Sequence, residues 1–205
     1  MAVITRKMIA NEIYDRGIGL HRNQIDAVLK AMVDAILDIT LRPPYQAQVQ
    51  INNFGVFSVK EIAPKEGNVP NKKNSKIQRY TSPPRARLRF SYNDHFRKAV
   101  IEIKNGCSPR FKVVPQPFSA QIQQKLSIEG IDEDCISGTL NVFICLLAKH
   151  LANEDELVLR RLGRFTSDCR YDQKVRNPRV NEIIIKDLIV RLRFRAGKKA
   201  AITND

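Results

Sequence analysis

The sequence predicts an α+β protein made of two similar units, each a helical hairpin followed by a three-stranded antiparallel sheet with a projecting β-arm. Two observations support this prediction. A strand, a glycine turn and a second strand are predicted at residues 49–57, and the same pattern returns at 157–165, 108 residues later. The tetrapeptide Arg-Leu-Arg-Phe then occurs in the last strand of each unit, at 87–90 and at 191–194.

The first unit begins with two predicted helices. Thr5 is placed to cap the first helix, which Gly17 and Gly19 end. Apolar residues recur at helical spacing in the second helix, about residues 21–40, and the Pro43-Pro44 pair stops it. The rest of the unit is predicted as strands at about 46–51 and 56–63, a basic excursion at 64–78 that is too polar to join a core, a strand from Arg85 and a helix at 93–104.

The second unit repeats this order after a proline-containing linker. We place the boundaries at 1–104 for the first domain, 105–117 for the linker and 118–205 for the second domain. Ser119 is predicted to cap the first helix of the second domain, whose last helix is short or missing after Gly197. The other predicted elements are a helix at 132–152, strands at 156–160 and 164–171, an excursion at 172–181 and a strand at 182–194.

Charge predicts the class of partner. The net charge is +14 and the pI about 9.9, with residues 1–104 at +9 and residues 105–205 at +5. Both halves are therefore basic, which favours a polyanion such as nucleic acid. Alternating arginines in two strands strengthen that interpretation, since Arg85, Arg87 and Arg89 share one strand face, as do Arg191, Arg193 and Arg195.

Other function classes are disfavoured. The four cysteines lack zinc-ligand spacing and predict reduced thiols, so we expect neither a metal nor a cofactor. The chain offers no Ser/His/Asp set, glycine-rich phosphate loop or close acidic pair, so we expect no enzyme. No window approaches the ~18 apolar residues of a membrane helix, and residues 140–151 predict a buried helix instead. Four phenylalanines are predicted to pack in the core, namely Phe57, Phe90, Phe165 and Phe194.

Several short motifs resemble those of one family. Asn-Phe-Gly-Val-Phe at 53–57 is similar to the hairpin motif of the HU/IHF family of bacterial histone-like DNA-bending proteins, and residues 161–165 match it more loosely. Arg176-Asn177-Pro178 matches the arm-tip motif of that family, and residues 194–198 resemble the segment before its last helix. The chain thus resembles two tandem HU/IHF copies covering nearly all of its length.

The resemblance implies a fold and a mechanism. The two copies would form a covalent pseudo-dimer, although sequence leaves open whether they pair within one chain or as a homo-oligomer. The expected partner is double-stranded DNA, bound in the minor groove and bent with little sequence specificity, in the cytoplasmic nucleoid. Pro70 and Pro178 would be intercalating wedges. The residues expected along the DNA backbone and groove are Lys72, Lys73, Lys76, Arg79, Arg85, Arg87, Arg89, Lys174, Arg176, Asn177, Arg179, Arg191, Arg193, Arg195 and Lys198.

Two departures from the family pattern favour an alternative. The first arm has Asn68-Val69-Pro70 without the arginine of the tip motif, and the last helix is truncated. The alternative is a structural ring, connector or tail component of a tailed-phage virion, with phage structural proteins as partners. DNA binding predicts both arginine rows exposed on one concave surface. A scaffold role predicts arms buried in protein contacts, with the arginines paired to acidic residues.

Overall fold

The computed structural model describes residues 1–70, 77–82, 85–109, 111, 113–126, 130–176 and 183–203. Its helices are α1 Arg6–Tyr14, α2 Arg22–Thr40, α3 Asp94–Lys104, α4 Ser119–Lys125 and α5 Glu133–Ala152. Its strands are β1 Val3–Thr5, β2 Val49–Ile51, β3 Gly55–Ile62, β4 Lys65–Pro70, β5 Ile77–Ser82, β6 Arg85–Tyr92, β7 Glu156–Leu159, β8 Gly163–Arg176, β9 Ile183–Ala196 and β10 Ala201–Thr203. These elements confirm the predicted α+β class.

Side-chain caps fix where the helices begin. The Thr5 hydroxyl accepts a hydrogen bond from the Met8 amide at 3.5 Å, as predicted, and the Asp132 carboxylate accepts one from the Cys135 amide at 2.7 Å. That bond lowers the pKa of Asp132 below its ordinary value. The prediction for Ser119 is wrong, because Phe118 is the N-cap of α4. Ser119 instead directs its hydroxyl to the Gln116 carbonyl at 2.7 Å.

Helix α5 corrects the statement that no segment approaches membrane-spanning length. By length and composition it is a candidate membrane span, the one such helix among the residues described. However, 67% of its apolar window is buried inside the fold, which is typical of the core helix of a soluble protein. Burial against the rest of the chain accounts for its apolar composition, as predicted for residues 140–151.

The two four-stranded sheets each contain a strand from the opposite half of the chain. The first sheet has the order β2-β3-β6-β10, and the second has the order β1-β7-β8-β9. Strand β1 pairs in parallel with β7, while β10 pairs antiparallel with β6 after a 3-10 turn at Lys198–Ala200. Where the sequence predicts a short or missing last helix, the described residues form this 3-10 turn and strand β10. Neither β1 nor β10 was predicted.

Polar contacts hold β1 against the second sheet. The Ala2 amide donates to the Asp155 carboxylate at 2.9 Å, and the Glu156 amide donates to the Ala2 carbonyl at 2.9 Å. His150 bridges this carboxylate to α1, with its ring nitrogens 3.2 Å from Asp155 and 3.0 Å from Glu12. Burial opposes ionisation of Asp155, but the Ala2 amide and His150 outweigh it and hold the pKa of Asp155 below its ordinary value.

One hydrophobic core serves both halves of the chain. A single cluster of buried side chains includes residues from α1, α2, α5 and both sheets. Aromatic rings join the sheets in two matching pairs, with ring centroids 5.8 Å apart for Phe57–Phe194 and 5.7 Å apart for Phe90–Phe165. Phe57 and Phe165 are fully buried while Phe90 and Phe194 lie at the edge of the cluster, so the predicted core positions are confirmed.

The segment before α4 is attached to the first sheet through Gln116, which is 1% exposed. The Gln116 side-chain oxygen accepts from the Asn52 amide at 2.9 Å, and its nitrogen donates to Asn141 at 3.1 Å. The Gln116 backbone amide donates to the Ser137 hydroxyl at 3.0 Å. As predicted, residues 113–116 are not helical. Their end is nevertheless a buried polar junction between the hairpin turn at Asn52 and helix α5.

Replacing Gln116 with alanine is expected to lower the free energy of unfolding by about 2 kcal/mol, because the Asn52 amide and Asn141 lose partners in a buried site. Chemical denaturation followed by circular dichroism measures this change. Gln123→Ala is the control, since Gln123 makes one long bond of 3.4 Å to the Ile131 carbonyl, and it is expected to cost less than about 0.5 kcal/mol. Equal losses in the two variants would contradict the role given to Gln116.

Candidate nucleic-acid interface

Strand β6 presents a row of basic side chains on the outer face of the first sheet. Arg85, Arg87 and Arg89 are exposed, whereas Ala86 and Leu88 are buried beneath them. This alternation follows from the pleat of a strand with one face on the core. The opposing strand adds a further cation, because Lys60 of β3 pairs with Arg87 and is also exposed.

Strand β9 presents the corresponding row on the second sheet. Arg191, Arg193 and Arg195 are exposed and pair with Asp168, Thr166 and Arg164 of β8. Arg170 is exposed on the same face of β8. We call the outward basic side chains of both sheets the arginine face, comprising Lys60, Arg85, Arg87 and Arg89 with Arg164, Arg170, Arg191, Arg193 and Arg195.

The two rows meet where the sheets adjoin. One cleft of about 460 Å³ is lined by Arg87 of the first sheet together with Arg164, Arg193 and Arg195 of the second. A neighbouring cleft is lined by Lys60, Arg87 and Arg89, together with Phe194 of the second sheet. The Tyr92 hydroxyl donates to the Arg193 carbonyl at 3.1 Å, which ties the two sheets together beneath this surface. The arginine face is therefore continuous across the two halves of the chain.

Carboxylates neutralise part of this face on one side. Asp168 lies 3.1 Å from Arg170 and 3.5 Å from Arg193, and Glu156 lies 2.8 Å from Arg164. These contacts are on the second sheet. Among the described residues, no carboxylate forms an ion pair with the basic side chains of the first sheet. The first sheet has Lys60 at the position equivalent to Asp168.

Residues 4–101 match the model of the family described as bacterial DNA-binding protein, to which HU belongs. The first half of the chain is an HU-like domain. A search of solved structures finds the Anabaena HU–DNA cocrystal structure, with 23% identity over 46% of this chain and 95% of that chain and a TM-score of 0.38. No curated protein matches the chain. The matched family is not an enzyme family.

The HU-like domain also carries the first arm, formed by β4 and β5. Ile62 faces Arg85 and Lys65 faces Ser82, so the arm continues the register of β3 and β6. Pro70 is the last paired residue of β4 and faces Ile77. The excursion predicted at 64–78 therefore contains strand β4 and the start of strand β5. The excursion predicted from residue 172 likewise begins as the continuation of β8.

The structure describes some of the predicted site residues but not others. The six arginines of β6 and β9 are exposed, as are Lys174 in the second arm and Lys198 in the 3-10 turn. Pro70, Arg79 and Arg176 lie in the arm strands β4, β5 and β8. The remaining predicted residues lie outside the described ranges, namely Lys72, Lys73, Lys76, Asn177, Pro178 and Arg179.

Three members of the arginine face were missed in the sequence, namely Lys60, Arg164 and Arg170. They lie on the inner strands β3 and β8, where the same alternation points them outward. Counting parity from the buried Phe57 and Phe165 would have found them. Among the residues described, no group of three or more His, Cys, Asp or Glu residues is placed to hold a metal ion.

Proposed function

We propose that this protein is an architectural DNA-binding protein in which two HU-like units, at 1–104 and 118–205, pair within one chain through the linker 105–117. The single observation that carries the proposal is the arginine face, where basic rows from two sheets line one cleft. A basic surface of this kind suits the phosphate backbone of double-stranded DNA. Its setting would be the nucleoid of a bacterial cytoplasm.

Equivalent backbone geometry supports the tandem arrangement. Gly55 and Gly163 have φ values of 158° and 151°, and each lies against a backbone carbonyl of the neighbouring long strand, Ser91 in β6 and Arg195 in β9. The residues two positions earlier, Asn53 and Arg161, both have positive φ, at 62° and 77°. Intrachain pairing is supported by the shared core and by the exchange of β1 and β10 between the sheets.

The arms would carry the bending. Each leaves its sheet beside the arginine face, so that cations on the arms follow the minor groove while the face holds the phosphates. Pro70 and Pro178 would enter base steps as apolar wedges, at an unstacking cost of a few kcal/mol per step that added backbone contacts offset. Sequence specificity is expected to be weak because the minor groove presents a degenerate pattern.

Binding to a duplex of about 35 base pairs across a salt series tests the proposal. We expect tight binding with a steep salt slope, because each neutralised phosphate releases a counterion. The Pro70→Ala/Pro178→Ala double variant is expected to bind but to lose most of the bend, measured by energy transfer between dyes on the duplex ends. Failure of the wild type to bind at physiological salt would refute DNA binding. An unchanged bend in the variant would refute the wedge role of the two prolines but not DNA binding itself.

A scaffold in a tailed-phage virion is the second candidate. The ion pair between Asp168 and Arg193 favours it, since a scaffold role predicts that arginines of the two rows pair with acidic residues. The exposed row on the first sheet, with which no described carboxylate pairs, favours DNA. Absence of duplex binding together with ring or higher-order assembly in analytical ultracentrifugation would support the scaffold.

A further inference from the structure

We propose that DNA phosphates bind the two sheets unequally, mainly through the first sheet, because Asp168 holds arginines of the second sheet in ion pairs. This inference rests on the proposed DNA-binding function. It concerns how phosphate binding is shared between the two halves of the arginine face. The relevant comparison is between Lys60 and Asp168, which occupy equivalent positions in the two sheets, 108 residues apart.

The first-sheet half of the arginine face is uniformly basic. Lys60 pairs across the strands with Arg87, and Arg89 pairs with the uncharged Ser58. All three cations are exposed, as is Arg85. No described carboxylate makes an ion pair with any of these four side chains. Within the part of the chain that the structure describes, each of them can therefore bind a phosphate without first giving up a carboxylate.

The second-sheet half carries internal counter-charges. Asp168 pairs across the strands with Arg191, and its carboxylate contacts Arg170 at 3.1 Å and Arg193 at 3.5 Å. Glu156 holds Arg164 at 2.8 Å, and its side chain is only 17% exposed. Three of the five arginines on this half therefore already have a carboxylate partner, leaving Arg191 and Arg195 without one among the described residues.

A paired arginine is a poorer phosphate ligand for two reasons. It must share its guanidinium between carboxylate and phosphate, and the carboxylate itself repels the incoming phosphate. Its charge is also partly neutralised before DNA arrives, so fewer counterions leave the DNA when it binds. Because surface ion pairs are weak, the second half of the arginine face still binds phosphate, but less strongly than the first half. DNA would consequently be held off-centre, with a defined orientation relative to the chain.

The repeated tetrapeptide supplies a matched test, since Arg89 and Arg193 are its equivalent arginines but only Arg193 contacts Asp168. We expect Arg89→Gln to reduce the slope of log binding constant against log salt by about 0.9, the value of one lost phosphate contact. We expect Arg193→Gln to reduce it by less than half as much. In an Asp168→Asn background, the effect of Arg193→Gln should rise to that of Arg89→Gln.

Charge reversal gives an independent readout. Asp168→Lys, which installs the residue of the first sheet, is expected to tighten binding and steepen the salt slope. Asp15→Lys, a change of the same charge on the turn after α1, should have a clearly smaller effect. Thermal melting of each variant checks that the fold is retained. Equal slope losses for Arg89→Gln and Arg193→Gln in the wild-type background would overturn the unequal use of the two sheets and leave DNA binding standing. Failure of the wild type to bind DNA would overturn both this inference and the proposed function.

Discussion

Replacing Gly163 with alanine is expected to lower the free energy of unfolding by about 3 kcal/mol, a large effect for one methyl group. An added Cβ would overlap the backbone carbonyl oxygen of Arg195 and lie 2.9 Å from the Phe194 ring. This carbonyl belongs to the backbone of β9, which is paired with β8 and cannot move aside as a flexible side chain can. The positive φ of 151° adds strain for any residue with a side chain. Chemical denaturation followed by far-ultraviolet circular dichroism measures the change.

Gly55→Ala is expected to have an effect of similar size, because its Cβ would overlap the Ser91 carbonyl and lie 2.7 Å from the Phe90 ring. Gly138→Ala is the control. Gly138 lies inside α5, and a Cβ there would meet no atom within 4 Å. This change should raise the free energy of unfolding by about 0.5–1 kcal/mol through helix propensity. A loss of less than about 1 kcal/mol at both turn glycines would contradict the close approach of turn and last strand.

Replacing Phe165 with alanine is expected to cost about 3–5 kcal/mol. Its ring is 0% exposed and lies 4.9 Å from Phe194, 5.7 Å from Phe90 and 5.6 Å from Phe54, measured between centroids. Phe90 of β6 and Phe54 of the turn before β3 belong to the first half of the chain, so the cavity would open in the contact between the halves. Denaturation of the wild type should show one cooperative transition, and that of the variant one transition at lower denaturant.

Phe111→Ala is the matched control for this cavity. Phe111 is only partly buried and its one described ring contact is with His95, at 5.9 Å. Its loss is expected to cost less than about 1.5 kcal/mol. Two separate transitions in the wild type, or a Phe165→Ala effect no larger than that of Phe111→Ala, would show that the halves fold without a shared core.

Local patterns predicted the elements that local forces determine. The apolar stripe of α2, the cap at Thr5 and the glycine turns at Gly55 and Gly163 all express contacts between near neighbours, and the structure confirms them. Ser119 has a good capping side chain, yet the capping position belongs to Phe118. Contacts of Ser119 with Gln116 and Glu133 compete for its hydroxyl, and sequence spacing does not reveal them.

The elements missed in the sequence depend on partners far along the chain. Strands β1 and β10 have three residues each, too few to show a period, and each exists because an edge of the opposite sheet accepts it. On the arginine face, strand parity predicts which side chains point outward. It does not reveal that Asp168 is within reach of Arg170 and Arg193, since that depends on side-chain conformation.

The exchange of β1 and β10 has a consequence for the order in which the protein is made. When a ribosome has completed the first half, the edge of β6 still lacks β10, and β1 has no β7 to pair with. The Ala2–Asp155 contact spans 153 residues, so it closes only after most of the chain has been synthesised. Until β10 is made, the nascent first half exposes the unpaired edge of β6, the kind of surface that pairs with other chains. Synthesis of β10 is thus the step that seals the first sheet and ends the exposure of this edge to neighbouring polypeptides.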